Sequence, residues 1–196
     1  MDTIILASSS PRRQEILKRM NIPFAVNPAE IDETIPKEIK ADKASEYLAA
    51  KKVDAIYRKF YSDSYSRWIL GADTTITYKN KIYGKPKNIA EAREFLNTFQ
   101  GKTHKVITGV ALYNISTHYL CTRSTVNKVT FAPMTEQEIE MYLETMEWHD
   151  AAGGYKIQGL ASCFISRIDG TESSVMGLPM FELYDMLKEQ DYKFSV

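Results

Sequence analysis

Residues 3–7 form a short apolar run, the length of a buried strand. Three serines and Pro11 follow. Ser10 suits a helix N-cap, and Pro11 suits the first helical position, where an N–H has no partner in any case. Ile16, Leu17 and Met20 recur at helical spacing, and Asn21 with Pro23 ends the helix. Residues 24–26 read as a second short strand. A stripe of Ala44, Leu48, Val53, Ile56, Tyr57 and Phe60 predicts a helix over 41–60, followed by a polar turn at 61–66. Apolar and β-branched residues from Trp68 to Tyr78 predict a long strand. Lys79 to Lys81 turns the chain back through Ile82 and Tyr83 to Gly84-Lys85-Pro86.

Asn88 with Glu91, and Thr135 with Glu138, are capping-box patterns at two further helix starts. Ala92, Phe95, Leu96 and Phe99 line the first of these helices. Ile139, Tyr142 and Leu143 line the second, over 136–146. Between them, 104–115 and 118–131 read as a β-hairpin. A glycine-rich stretch at 151–159 precedes a last strand at 162–168. The final helix begins at Gly177-Leu178-Pro179, with Phe181, Leu183, Tyr184 and Leu187 as its face. Strands alternating with helices and hairpins predict an α/β fold with a mixed sheet. There is no internal repeat and no low-complexity segment.

A chain of 196 residues suffices for one sizeable α/β domain or two closely joined lobes. Its formal net charge is zero, so no overall basic field draws it to nucleic acid or anionic lipid. No apolar run approaches a membrane span, and residues 1–7 lack the basic start of a signal peptide. Cys121 and Cys163 have no metal-ligand spacing and are expected reduced and buried, which suits the cytoplasm. His104, His118 and His149 are scattered and form no zinc motif.

Local conflicts mark the candidate chemistry. Arg12 and Arg13 lie in the first turn of a helix, where the dipole opposes a cation. A phosphate bound at that N-terminus, beside Ser8, Ser9 and Ser10, would remove the conflict. The plain alternative is a capped helix with two solvated arginines. Glu30, Asp32 and Glu33 form either a solvated acidic turn or a source of hard oxygen ligands for Mg²⁺. Asp73 falls in the middle of an otherwise apolar strand, where a carboxylate needs a partner. Gly84 and Pro86 frame Lys85, yet no P-loop pattern surrounds it. Lys51 and Lys52 lie on the second helix, where a lysine pair usually faces solvent.

Taken together, these pieces resemble the Maf family of nucleoside triphosphate pyrophosphatases. The resemblance rests on Ser8-Ser9-Ser10-Pro11-Arg12-Arg13, Asp32-Glu33, Leu48-Ala49-Ala50-Lys51-Lys52, Gly71-Ala72-Asp73-Thr74 and Gly84-Lys85-Pro86. It continues through Gly101-Lys102-Thr103-His104, Thr108-Gly109, Ala152-Gly153-Gly154-Tyr155, Gln158-Gly159 and Val175-Met176-Gly177-Leu178-Pro179. Two departures stand out. Ala151 replaces a lysine common in the family, and Thr171-Glu172-Ser173-Ser174 lacks the family's aspartate-aromatic and asparagine, so that loop receives no catalytic role.

The resemblance implies an elongated mixed sheet flanked by helices, two lobes around a central cleft, and a single domain over 1–196. It implies hydrolysis between the α and β phosphates of a nucleoside triphosphate, giving monophosphate and pyrophosphate, with Mg²⁺ or Mn²⁺. Family members are often homodimers. Asp73 is the expected proton acceptor and a metal ligand, with Glu33 as the second ligand. Lys52 and Lys85 are the expected catalytic cations, and Ser8, Ser10 and Arg13 the phosphate-binding residues. Arg12, Thr74 and Gln158 match the markers of the branch that prefers dTTP and UTP. Another branch, acting on 7-methyl-GTP, differs at these positions. Two further alternatives are a purine-directed pyrophosphatase and a non-enzymatic regulator of septum formation that binds DNA or a partner protein.

Overall fold

The computed structural model describes residues 1–60 and 67–194, the side chain of Phe60 excepted. The polar turn expected at 61–66 lies outside the described residues. Strands β1 (Ile4–Leu6), β2 (Phe24–Val26), β3 (Trp68–Tyr78), β4 (Lys81–Tyr83), β5 (Thr103–Asn114), β6 (Tyr119–Phe131) and β7 (Ile165–Asp169) form a seven-stranded sheet. Its order is β2-β1-β3-β5-β6-β7, with β4 paired to β3. β1 runs parallel to both β2 and β3, whereas β3–β4 and β6–β7 are antiparallel. The sheet is therefore mixed, as the alternation of elements predicts. Among the described residues six α-helices accompany it: α1 (Pro11–Arg19), α2 (Ala44–Phe60), α3 (Ile89–Phe99), α4 (Glu136–Glu144), α5 (Glu172–Met176) and α6 (Met180–Glu189).

Two compact units share the chain. The first comprises 1–73, 108–125 and 177–196, and the second 74–107 and 126–176. In the first unit, α2 packs on β3 and β5 through two glycines. A Cβ on Gly71 would lie 2.3 Å from the Ala49 carbonyl oxygen, and one on Gly109 would lie 2.3 Å from the Glu46 nitrogen. Only hydrogen at both positions lets the helix backbone sit this close to the strands. Ala49, Val53 and Ile56 then bury against Ile5, Ala7, Ile69 and Ala111. This close seating carries Lys52 to the strand that bears Asp73.

The second unit has an aromatic core. Tyr83 meets Phe95 and Phe99 edge-on, and His104 stacks on Phe99 with ring centroids 4.3 Å apart. Burial pushes the His104 pKa down to about 4, so its ring is neutral, and its Nε2 shares a 2.8 Å hydrogen bond with the Tyr155 hydroxyl. Asn127 is buried and knits the 170–174 segment to β6. Its Nδ2 donates to Ser174 Oγ at 2.7 Å and its Oδ1 accepts from Thr171 N at 3.1 Å.

Several local expectations change. Thr135 and Glu138 complete a reciprocal capping box. At α3 only half of one forms: Asn88 caps Glu91 N, while the Glu91 carboxylate accepts from Lys87 N. The last strand starts at Ile165, because Leu160–Phe164 coils as a 3₁₀ turn closed by Ser162 N on the Gly159 carbonyl. The divergent segment after Gly170 is the short helix α5. On α6 the core face is Leu183, Met186 and Leu187. Phe181 and Tyr184 stay exposed and line an apolar surface depression with Met20, Met180 and Phe194. Cys163 is exposed and Cys121 half-buried, and both are free thiols, so the expectation of buried cysteines fails. Cys163 sits in the 3₁₀ turn, whose backbone turns its side chain outward. Among the described residues no helix is long and apolar enough to cross a membrane.

Candidate active site

Strand β1 ends at Leu6, and the serine turn leads directly into α1. Ser10 occupies the N-cap position, but its hydroxyl makes no capping bond. Its backbone N–H instead donates to Ser8 Oγ at 3.3 Å. Ser8 Oγ also accepts from Arg13 Nη1 at 2.8 Å. A hydroxyl that accepts two N–H donors keeps its own O–H to donate. Arg13 is fixed from its other side, because Nε donates to the Gly177 carbonyl at 2.8 Å. Burial lowers the Arg13 pKa, and the charges of Asp73 and Glu33 work against that shift. The guanidinium remains charged. The first turn of α1 carries no acidic residue.

Two carboxylates converge on one ammonium. Lys52 Nζ lies 2.6 Å from Asp73 Oδ1 and 2.9 Å from Glu33 Oε1. The Lys52 and Asp73 side chains are only 10% and 13% exposed, while that of Glu33 is 59% exposed. The largely shielded carboxylate of β3 thus has the partner its position demands. The acidic turn separates into distinct roles. Asp32 Oδ1 accepts from the N–H and hydroxyl of Thr34, bonds that lower its pKa and shape the loop. Lys51 Nζ donates to the Asp32 carbonyl at 2.6 Å. Adjacent lysines therefore diverge: Lys51 braces the acidic loop, and Lys52 enters the carboxylate pair.

Among the described residues no three potential metal-ligating side chains cluster together. The Glu33–Asp73 pair still fits Mg²⁺, which is commonly held by one or two carboxylates and completed by water and substrate phosphate. The two oxygens already face a common point, occupied by a cationic nitrogen.

The second unit presents the other expected residues. Thr74 follows Asp73 on β3 and is half-buried. Lys85 Nζ lies 3.4 Å from Asp150 Oδ1, and His149 Nδ1 contacts the other Asp150 oxygen at 3.2 Å. The nearby Lys85 charge holds Asp150 below the usual carboxylate range. Gly153 N donates to the Gly84 carbonyl, which ties the Lys85 turn to the glycine-rich stretch. Gln158 is exposed, and its amide makes no hydrogen bond to any described residue. It is not spent on a loop backbone. In the first unit, Arg12 is half-buried beside Arg13 and is itself engaged within the structure.

The structure thus brings Ser8, Arg13, Lys52, Glu33 and Asp73 into one electrostatically linked group, with Arg12 and Ser10 flanking it. Three partners were not anticipated from sequence: the Gly177 carbonyl on Arg13, Asp150 on Lys85, and Glu147, whose carboxylate accepts from Leu160 N. They lie 164, 65 and 13 residues from the groups they hold. No spacing rule reaches so far. The one available signal for Gly177 is the Val175–Pro179 motif.

The comparisons agree with one another. A family model described as Maf-like protein matches residues 3–190. A protein named dTTP/UTP pyrophosphatase from Bacillus cytotoxicus is 43% identical over 191 residues, 97% of each chain. One of the same name from Desulforamulus reducens is 41% identical over 188 residues, 96% of each. A third, from Treponema denticola, is 36% identical and covers 98% of this chain and 99% of its own. The serine-arginine turn, the two carboxylates on Lys52 and these full-length matches converge: the chain belongs to the Maf family.

Proposed function

We propose that this protein hydrolyses dTTP and UTP to the monophosphate and pyrophosphate. The observation that carries this reading is the convergence of Glu33 and Asp73 on Lys52, linked electrostatically to an Arg13 held by Ser8. The names of the 36–43% identical relatives support the substrate assignment. We read residues 1–196 as one functional domain.

Phosphoryl transfer depends mostly on positioning and on stabilising charge. Arg13 neutralises phosphate oxygens, with its guanidinium already oriented by Ser8 and Gly177. The Ser8 hydroxyl and the uncapped N–H groups of α1 donate to the same anion. Lys52 and Lys85 add positive charge, and each charge-assisted bond contributes roughly 1.5–3 kcal/mol. Glu33 and Asp73 would hold a divalent cation, Mg²⁺ or Mn²⁺, which would supply charge neutralisation to the triphosphate and favour the ionised carboxylates. Asp73 orients the attacking water and accepts its proton.

Gln158 reads the base. A uracil or thymine edge offers two carbonyl acceptors and one N–H, and a single amide carries both complements. Arg12 and Thr74 complete the selection. A site built on such hydrogen bonds leaves polar groups unpaired with a wrong base, which supports discrimination of roughly 10²–10⁴-fold. The test compares kcat/KM for UTP, dTTP, CTP, GTP and 7-methyl-GTP in wild type and Gln158→Glu, with Mg²⁺. The reading expects pyrimidine preference and a changed ranking in the variant. A purine preference, or an unchanged ranking, contradicts it.

A further inference from the structure

The Gln158 amide is exposed and unbonded among the described residues, so the backbone beneath it must set its direction. That backbone is held on both sides. Before Gln158, the Tyr155 hydroxyl pairs with His104 Nε2 at 2.8 Å, and Lys156 N donates to the Tyr142 hydroxyl at 3.3 Å. After it, Leu160 N donates to both carboxylate oxygens of Glu147, at 3.2 and 3.0 Å. Glu147 belongs to the turn that follows α4. Its own N–H is held by Thr145 Oγ1 at 3.1 Å, and the Trp148 indole anchors the turn on the Leu143 carbonyl at 3.1 Å. The same turn delivers Asp150 to Lys85.

Gly159 leaves room for this clamp. A Cβ there would lie 2.1 Å from Glu147 Oε2 and 2.5 Å from its Cδ. The backbone at Gly159 has φ −109°, so it is not in the left-handed region. What the missing side chain admits is the carboxylate itself.

We propose that Glu147 is a positioning residue for base selection: its carboxylate, seated over Gly159 and bound to Leu160 N–H, fixes the direction in which Gln158 is presented. This rests on the reading of Gln158 as the base-reading residue. Glu147 acts through the backbone and does not itself touch the substrate. A hydrogen bond to a charged acceptor is worth about tenfold or more when lost. Glu147→Ala therefore raises KM for UTP about tenfold, with kcat shifting less than about threefold. It lowers the UTP-over-CTP ratio of kcat/KM by a similar factor. Glu147→Gln keeps one acceptor oxygen for Leu160 N–H and restores most of both.

Gly159→Ala approaches the contact from the other side. The new methyl displaces a flexible carboxylate and leaves the main chain unstrained, so folding is retained while the clamp is lost. Its selectivity matches that of Glu147→Ala, and the double variant is no worse than Glu147→Ala alone, because both remove one contact.

The experiment measures kcat and KM for UTP and CTP in wild type, Gln158→Ala, the three single variants and the double variant, with melting temperatures alongside. A reduced ratio in Gln158→Ala, Glu147→Ala and Gly159→Ala, with rescue in Glu147→Gln, supports the proposal. A reduced ratio in Gln158→Ala alone overturns it and leaves the base-reading role standing. A ratio unchanged even in Gln158→Ala overturns both.

Discussion

Lys52→Met tests the view that an ammonium stands at the cation point of the acidic pair. Methionine nearly preserves the shape of the side chain and removes its charge. Contacts of 2.6 and 2.9 Å to one nitrogen put the Asp73 and Glu33 oxygens at most about 5.5 Å apart. Two like charges at that distance repel by about 3 kcal/mol at an effective dielectric of 20, and by about 0.8 kcal/mol in water. Glu33 is more exposed than Asp73, so the lower part of that range applies, about 1 kcal/mol. A divalent cation relieves the repulsion and no longer competes with the ammonium. Binding of Mn²⁺ without nucleotide, read by calorimetry, should therefore tighten by about fivefold, since 1.4 kcal/mol is tenfold. Melting temperature should rise more steeply with Mg²⁺ than in wild type. Turnover of UTP should meanwhile fall by about 10²-fold, the scale of losing one preorganised charge-stabilising group. Unchanged Mn²⁺ affinity, or near-wild-type turnover, would refute the argument.

Arg13→Ala and Lys85→Ala should raise KM for UTP while leaving inhibition by the monophosphate product much less affected, as product-inhibition kinetics would reveal; equal losses for both ligands would count against their triphosphate role. Gly71→Ala should destabilise the fold by roughly 1–3 kcal/mol, because its methyl meets the Ala49 carbonyl, and an unchanged denaturation midpoint would contradict the close seating of α2. His104, with its pKa lowered to about 4, stays neutral in the fold where an unfolded histidine takes a proton near pH 6.5. Its contribution to stability is complete above pH 6.5 and is lost as pH falls towards 4, about 3 kcal/mol in all. His104→Gln should flatten the stability curve between pH 7 and pH 5, and denaturation at the two pH values checks this.

Much of this site was legible in the sequence because its residues break local rules. An aspartate within an apolar strand announces a partner, and the structure supplies Lys52. The arginine pair in a first helical turn points to an anion, and in the structure Arg13 is held by Ser8 and the Gly177 carbonyl. The strand and helix boundaries followed period and capping, and failed where those signals are weak. Met186 rather than Phe181 faces the core because the i, i+3, i+4 spacing runs through Leu183. The 3₁₀ turn at Leu160–Phe164 was invisible because the Glu147 carboxylate at its head lies on another element. Lys51 and Lys52 could not be distinguished by type. Only the approach of α2 over Gly71 and Gly109 decides which of them enters the carboxylate pair.

The most direct test of the central claim is the identity of the products formed from UTP and dTTP with Mg²⁺, followed by phosphorus NMR in wild type and Asp73→Asn. Asparagine keeps an oxygen for Lys52, so the variant should remain folded, as melting confirms. Wild type should give monophosphate and pyrophosphate in equal amounts with no direct orthophosphate. Asp73→Asn should be slower by about 10²-fold or more, the scale of losing a positioned acid–base group. Orthophosphate as the first product, or a folded Asp73→Asn protein that turns over at the wild-type rate, would contradict the account.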